Sequence, residues 1–288
     1  MESSTLSDEL MRAEGLLVEG QNEDAVELLS HLAEDAEEYV DENCHTTDTD
    51  QWFSFPTMFE RLCYRRVEDD PRTLHNVDEP LDRMYADLAL ACVRTDDYDS
   101  AMAALKSAVR WNPMDCSYRL NLAELYRNAG DNDEYLALTY SCFERASDAR
   151  YLARAFLNFA GYFQESGKPK TAAAALRAAR RLDVDDSSLK AALDQAAGTD
   201  CDPDKVTDEQ TTRLLADEGL PDGANAEVAI CLLMCAEDYA AAGDNNLATT
   251  LTIRARDLVG EPAAMALLKL IRETDAEIAR GDSDASDK

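Results

Sequence analysis

Little in this sequence breaks a helix. The 288 residues include only 11 glycines and 8 prolines, the residues that end helices and open turns. Histidine occurs three times, at His31, His45 and His75, and no two of these share a helix face. No GxSxG, HExxH, Walker or GxGxxG pattern occurs. The sequence therefore lacks the usual motifs of serine hydrolases, zinc proteases and nucleotide-binding enzymes. We therefore expect a helical protein that is not an enzyme and needs no cofactor and no metal.

Positive charge is also scarce. There are 28 Lys and Arg against 59 Asp and Glu, which gives a formal net charge of −31. Such a surface repels phosphate backbones and anionic lipid head groups, so nucleic acid and membrane are poor partners. The acidic residues are spread along the chain, which favours a solvated outer surface over an acidic tail. A composition rich in Asp and poor in Lys also fits adaptation to salt, and this alternative stays open.

Long apolar runs and cysteine frameworks are missing as well. The longest apolar stretch, Val228 to Ala236, is too short to span a bilayer. The opening "MESSTLSDEL" has neither a basic flank nor an apolar run, so we expect no secretory signal. The eight cysteines show no CxxC spacing, which argues against a disulfide or zinc framework. A reducing, cytoplasmic location fits best.

What the sequence does have is a repeated pattern of small and apolar residues. In "YADLALACVRTDDYDSAMAALKSAVRWNP", Tyr85 to Pro113, such residues fall on one face of each of two helices joined by "TDDYD". Pro113 is expected to end the second helix because it cannot donate a backbone hydrogen bond. Related patterns occur elsewhere in the chain, the next of them 34 residues later. In four copies of the pattern a glycine stands where the first helix is expected to end in a left-handed conformation: Gly20, Gly130, Gly167 and Gly243.

This pattern resembles the tetratricopeptide repeat (TPR) family, bacterial members in particular, whose motif reads W-x2-L-G-x2-Y, A-x3-F and P. Residues 82–115 match it best, whereas residues 116–149 depart where Tyr135 replaces a small residue. Residues 153–186 and 229–262 keep the small positions but lack the closing proline. The resemblance implies an all-α fold, a right-handed α-solenoid of helical hairpins. It also implies a concave groove that binds peptides or protein surfaces.

The predicted organisation has six parts. They are a degenerate hairpin (1–40), an aromatic-rich insertion (41–80), three TPR-like repeats (81–186), a degenerate helical pair (187–223), a hairpin plus capping helix (224–280) and a disordered acidic tail (281–288). Within the degenerate pair, Thr207 and Gln210 form a plausible capping box. The insertion concentrates aromatic residues: Trp52, Phe53, Phe55, Phe59 and Tyr64. We favour a buried anchor that packs on the first repeat over a second binding surface, since exposed apolar patches are rare.

The candidate site is predicted on the first helix of each repeat. Opposite the residues that pack in the core, a second row (stripe) of residues at helical spacing should line the groove. Arginines there would grip carboxylates or peptide carbonyls, and asparagines would hold a peptide backbone. The predicted groove residues are Arg83, Leu90, Arg94, Asn121, Arg127, Arg154 and Asn158. The alternative is that these arginines form ordinary ion pairs, Arg127 with Glu124 among them. Ala86 and Leu90 occupy the places of the Lys and Asn with which some TPR proteins clamp a C-terminal carboxylate.

Three other groups are weaker candidates for chemistry. Cys44 and His45 could form a nucleophile and its base, but adjacent side chains point in different directions. We therefore interpret their proximity in a loop as chance. Cys231 and Cys235 lie one helical turn apart, but core packing explains them without a metal. In the segment "DCDPD" (200–204), carboxylates stand at alternate positions, as they do in a calcium-binding loop. The segment lacks the glycine and the glutamate that such a loop requires, so we do not expect a calcium site there.

The sequence thus predicts a non-catalytic scaffold or adaptor that binds a protein or peptide. Two alternatives stay open. One is a peptide-responsive regulator whose array changes curvature on binding, and the other is a structural protein that self-associates into a homo-oligomer.

Overall fold

The structure is a computed structural model that describes residues 6–286, with side chains through residue 274. Over that range it contains fourteen α-helices and one two-stranded sheet, so the predicted helical class is confirmed. The chain divides into two compact units, Met1–Leu138 (unit 1) and Thr139–Lys288 (unit 2). Among the described helices, none combines the length and apolar character needed to cross a bilayer.

Unit 1 consists mainly of helices that pack in sequence order. Its elements are α1 (Leu6–Glu19), α2 (Asn22–Asn43), β1 (Asp50–Phe53), α3 (Met58–Glu68), β2 (Thr73–Asn76), α4 (Leu81–Arg94), α5 (Tyr98–Trp111), α6 (Cys116–Asn128) and the start of α7 (Asn132–Arg145). Helix α4 packs on both α2 and α5, and α5 packs on α6. Small residues make the α4–α5 approach close, because Ala89, Ala101 and Ala108 are all buried.

The predicted helix ends are confirmed. Helix α5 ends at Trp111, two residues before Pro113. The four glycines expected in left-handed caps, at 20, 130, 167 and 243, have φ values of 78°, 82°, 72° and 88°. Glycine adopts this conformation without the steric cost that a Cβ atom brings, which explains its place at these turns.

The insertion contains two short strands, which were not predicted. β1 and β2 pair in parallel, with Trp52 opposite His75, and α3 connects them. Each strand has only four residues, too few for an alternating pattern to indicate β-structure. The aromatic patch is largely buried, as predicted: Phe53, Phe55, Phe59 and Tyr64 are each less than a tenth exposed. Phe53 stacks on Phe55 with ring centroids 4.6 Å apart.

A buried polar junction joins the insertion to the helices. The Ser54 hydroxyl donates to the Glu79 carbonyl at 2.7 Å and accepts from the Leu81 backbone N–H at 3.0 Å. Asp82, which is 5% exposed, accepts hydrogen bonds from Asn112 Nδ2 at 3.0 Å and from the Tyr118 hydroxyl at 3.3 Å. Burial raises the pKa of Asp82, and these hydrogen bonds oppose that rise. The junction therefore links β1, α4, α5 and α6.

Unit 2 is built around an alanine-rich helix. Its elements are the end of α7, α8 (Ala149–Glu165), α9 (Pro169–Arg181), α10 (Ser187–Ala196), a 3-10 helix (Pro203–Lys205), α11 (Asp208–Asp217), α12 (Ala226–Ala241), α13 (Asn245–Val259) and α14 (Glu261–Ser286). Helix α9 buries Ala172 to Ala175 together, since it packs against α8, α10, α11 and the 3-10 helix. The predicted capping box at Thr207 and Gln210 is confirmed.

The C-terminal segment differs from its prediction. Helix α14 packs on α12 and α13, as a capping helix should, but it continues to Ser286. Six of the eight residues predicted as a disordered tail, 281–286, are therefore helical. The last two residues of that predicted tail lie outside the described range.

The junction predicts a large effect of Asp82→Ala. Removing this carboxyl leaves the buried Asn112 amide and Tyr118 hydroxyl without their acceptor, so unit 1 should lose about 2–4 kcal/mol of stability. Both tryptophans, Trp52 and Trp111, lie in unit 1, so urea unfolding followed by tryptophan fluorescence reports on this unit. The exposed Asp41→Ala is the matched control, and equal losses in both variants would contradict the proposed importance of the junction.

Candidate binding site

The predicted groove arginines of α4 make contacts within unit 1. Arg83 forms an ion pair with Glu14 of α1. Arg94 Nη1 donates a hydrogen bond to the Leu17 carbonyl at 2.6 Å, near the end of α1. Both side chains therefore fasten α1 to α4. The sequence could not show this, because the partners lie about 70 residues away in the chain.

The other predicted residues are used in different ways. Arg127 lies 3.8 Å from Glu124, so the expected ion pair is confirmed, and its guanidinium also stands over the Tyr135 ring at 5.7 Å. Leu90 is 42% exposed and Asn121 is exposed. In unit 2, Arg154 is half-buried and Asn158 Nδ2 donates to Thr139 Oγ1 at 3.2 Å. Five of the seven predicted residues thus belong to unit 1 and two to unit 2.

The minor candidates for chemistry have structural roles. All eight cysteines are buried, Cys231 and Cys235 among them, and burial raises the pKa of Cys44. In the acidic segment, Asp202 accepts the backbone N–H groups of Gly198 and Asp204, and Asp204 pairs with Arg180 at 2.8 Å. No group of three His, Cys, Asp or Glu side chains in the part of the chain that the structure describes is placed to hold a metal ion.

A groove in unit 1 was not predicted. It has a volume of about 650 Å³, and its lining comes from α1, α2, β1, the end of β2 and the segment before α4. The lining residues are Leu6, Glu9, Leu32, Asp35, Ala36, Tyr39, Trp52, Asn76, Val77, Asp78, Glu79 and Leu81. We call this cavity the α1–α2 groove. Val77 and Leu81 are buried at its base, whereas Tyr39 is 49% exposed.

One wall of the groove is held rigidly by hydrogen bonds and stacking. The indole of Trp52 stacks on the His75 ring at 4.6 Å, and its Nε1–H donates to the His45 carbonyl at 3.2 Å. His75 Nε2 lies 2.7 Å from Asp50 Oδ1. Hydrogen bonds from Thr49 and His75 lower the pKa of Asp50. Because the wall is fixed before any ligand arrives, little entropy is lost when it makes contacts.

The charge at this groove has one sign. Its rim carries four carboxylates from three elements: Glu9 on α1, Asp35 on α2, and Asp78 and Glu79 before α4. None of the lining residues is Lys, Arg or His. Arg12, which is exposed, approaches Glu9 at 3.4 Å but does not line the groove.

Unit 2 has a larger cavity whose lining carries charges of both signs. Its volume is about 880 Å³, and four arginines and six carboxylates line it. Arg150 forms an ion pair with Asp148 at 2.7 Å, and Arg254 Nε donates to the Ser147 carbonyl at 2.9 Å. Burial of Asp148 favours the neutral acid, but the hydrogen bonds from Arg150 outweigh burial and lower its pKa. A ligand that contacts Arg150 or Arg254 there would have to compete with the contacts that these side chains already make.

The sequence held one signal for the α1–α2 groove. In "DQWF", side chains alternate between the two faces of a strand, so Trp52 points away from the buried Phe53. Trp52 is in fact only partly buried, on the side that faces the groove. Asp35 and Tyr39 carried no such signal, because they resemble the ordinary solvent face of a long helix.

No protein-family model matches this chain, and no curated protein matches it in sequence.

A buried carboxyl next to Arg83 gives unit 1 a pH dependence. Asp87 lies on α4 beside Glu14, and its Oδ2 atom is buried without a hydrogen-bond partner among the described residues. Burial, and next the negative charge of Glu14, raise the pKa of Asp87 to about 6. The charge of Arg83 acts in the opposite direction. The charge of Asp87 also contributes to raising the pKa of Tyr118.

The sign of the effect follows from proton binding. Between the ordinary carboxyl pKa and about 6, the folded state binds more protons at Asp87 than the unfolded state does. Its contribution to stability therefore falls as the pH rises through this window. The Asn side chain of Asp87→Asn stays neutral. At pH 7 the free energy of unfolding of this variant should therefore be about 1 kcal/mol higher than that of the wild type, after allowance for solvent screening. Near pH 4 the difference should shrink.

Urea unfolding by tryptophan fluorescence at several pH values between 4 and 7 measures this difference. Asp41→Asn, at an exposed position of α2, is the control and should follow the wild type. An Asp87→Asn difference that does not change with pH would show that folding does not raise the pKa of Asp87.

Proposed function

We propose that this chain is a non-catalytic, TPR-like scaffold that binds a peptide segment of a partner protein. The α1–α2 groove carries the proposal. An apolar base, a half-exposed tyrosine and a rigid tryptophan wall are typical of pockets that bury part of a ligand. A volume of about 650 Å³ suits a few side chains of an extended or helical segment.

The TPR-like arrangement is part of this proposal. The paired packing of α4 with α5, of α8 with α9 and of α12 with α13 supports it, as do the glycine caps at the helix ends. Right-handed stacking of successive hairpins is the arrangement we propose for them. Binding would need no chemistry, since a preformed surface gains affinity by avoiding the cost of ordering.

We propose a cytoplasmic location. The spacing of the eight cysteines supports it, because they form no CxxC pair and no pattern typical of the disulfide frameworks of secreted proteins. A partner protein or peptide in the same compartment would then be the ligand.

The stripe predicted from the repeats remains a second candidate surface. Leu90 is its most exposed apolar member in α4, and Asn121 is also exposed. Because Arg83, Arg94 and Arg127 already contact groups in unit 1, a peptide there would have to compete with those contacts. In the α1–α2 groove Glu9 is paired with the exposed Arg12, but no arginine lines the groove and its base is apolar, so we place the peptide there.

Selection of a random twelve-residue peptide library on the full-length protein tests the proposal. We expect enriched peptides whose affinity falls about tenfold in Tyr39→Ala, since an aromatic residue in a pocket often dominates binding. Tyr98→Ala is the matched control, because Tyr98 is 48% exposed and lies on α5, outside the groove. Its affinities should stay within about twofold of the wild type.

Three outcomes would count against this assignment. A selection that enriches no peptide would contradict the proposed function itself. Binding that Tyr39→Ala and Tyr98→Ala weaken equally would contradict the α1–α2 groove as the site. Binding that is lost in Leu90→Asp and kept in Tyr39→Ala would move the site to the stripe on the first helices.

A further inference from the structure

The rim of the α1–α2 groove brings together negative charges from separate parts of the chain. Glu9, Asp35, Asp78 and Glu79 approach one cavity from three separate elements. In the unit 2 cavity, by contrast, each of Asp148 and Asp257 has an arginine at 2.7 Å. Four arginines line the unit 2 cavity, whereas no basic residue lines the α1–α2 groove, so the two cavities differ in the sign of charge that they offer a ligand.

Like charges that surround a cavity raise the local concentration of cations. Carboxylates around a low-dielectric base interact with a bound cation more strongly than carboxylates on an open surface do. The apolar base and the Trp52 wall supply that low-dielectric surface. A single small ion could contact one or two of these groups, whereas a ligand with several positive charges could contact carboxylates on all three elements.

The aromatic side chains favour the same type of ligand. Trp52 and Tyr39 present ring surfaces to the groove, and Tyr39 is 49% exposed. Lysine and arginine side chains bind well over such faces, while their alkyl stems pack on apolar surface. Leu32 and Val77 provide apolar contacts at the same place. An occupant with both positive and apolar side chains matches every part of the lining.

We propose that the α1–α2 groove binds a cationic, apolar peptide segment, in which Lys or Arg residues are interspersed with Leu-like residues. This inference rests on the proposed scaffold function and specifies its partner. The basic side chains would contact the carboxylates of α1, α2 and the segment before α4, and the apolar side chains would contact the base.

The experiment uses three twelve-residue peptides with blocked termini. All three have pairs of Leu residues at the same positions. The remaining positions are all Lys, all Gln or all Glu. Calorimetric titration of the full-length protein at physiological salt measures each affinity, and the indole N–H signals in ¹H–¹⁵N spectra locate the binding. The chain has two tryptophans, so Trp52 reports on the groove and Trp111, which does not line it, serves as an internal reference.

We expect the Lys peptide to bind at least tenfold more tightly than the Gln peptide and to shift the Trp52 indole signal. The double variant Asp35→Asn, Asp78→Asn should weaken this binding roughly five- to twentyfold, about two- to fivefold per carboxylate. Glu19→Gln with Glu27→Gln removes the same charge from exposed positions outside the groove. That control should change the affinity less than twofold, which separates a local site from general attraction to an acidic protein.

Several results would overturn the inference. If the Gln peptide binds as tightly as the Lys peptide and shifts Trp52, the cationic preference is wrong while the scaffold function stands. If both double variants weaken the Lys peptide equally, the attraction is general and the groove does not select cations. If spermine shifts Trp52 with the same affinity, the ligand is a small polyamine. Neutral or acidic peptides from library selection would also refute the inference, whereas a selection without binders refutes the function itself.

Discussion

The architecture of unit 1 depends on the buried carboxyl of Asp82. A carboxylate in an apolar core is costly unless it is hydrogen-bonded, and here Asn112 and Tyr118 supply those bonds from α5 and α6. Ser54 brings the end of β1 to the same junction. The position of the insertion, and therefore of Trp52 against α1 and α2, follows from this network. Without it the α1–α2 groove would lack one wall.

The helical hairpins were predictable because their determinants are local. Apolar residues at helical spacing, alanines where helices approach closely, and glycine or proline at the ends act within one turn or one hairpin. Ala101 and Ala108 in α5, and the alanines of α9, are buried as that pattern requires. The extension of α14 was missed because charged, small residues near a chain end are compatible with both a helix and a disordered tail.

The insertion and the groove were not predictable because their determinants are distant in the chain. β1 pairs with a strand more than twenty residues later, and neither strand is long enough to show its period. Asp35 and Tyr39 acquire a role only when Trp52 and Asp78 are placed opposite them. The arginine stripe shows the converse. Its spacing was correct for a helix face, but Arg83 and Arg94 find partners on α1 that no local pattern indicates.

Net charge and local charge have different consequences in this protein. A formal charge of −31 acts at long range, and salt screens it beyond about 8–10 Å. Around the unit 2 cavity, Asp148 and Asp257 each have an arginine at 2.7 Å. The lining of the α1–α2 groove combines four carboxylates with apolar and aromatic residues and has no basic residue. The proposed selectivity for a cationic partner therefore rests on the arrangement of a few carboxylates, whereas the overall acidity sets only the sign of long-range attraction.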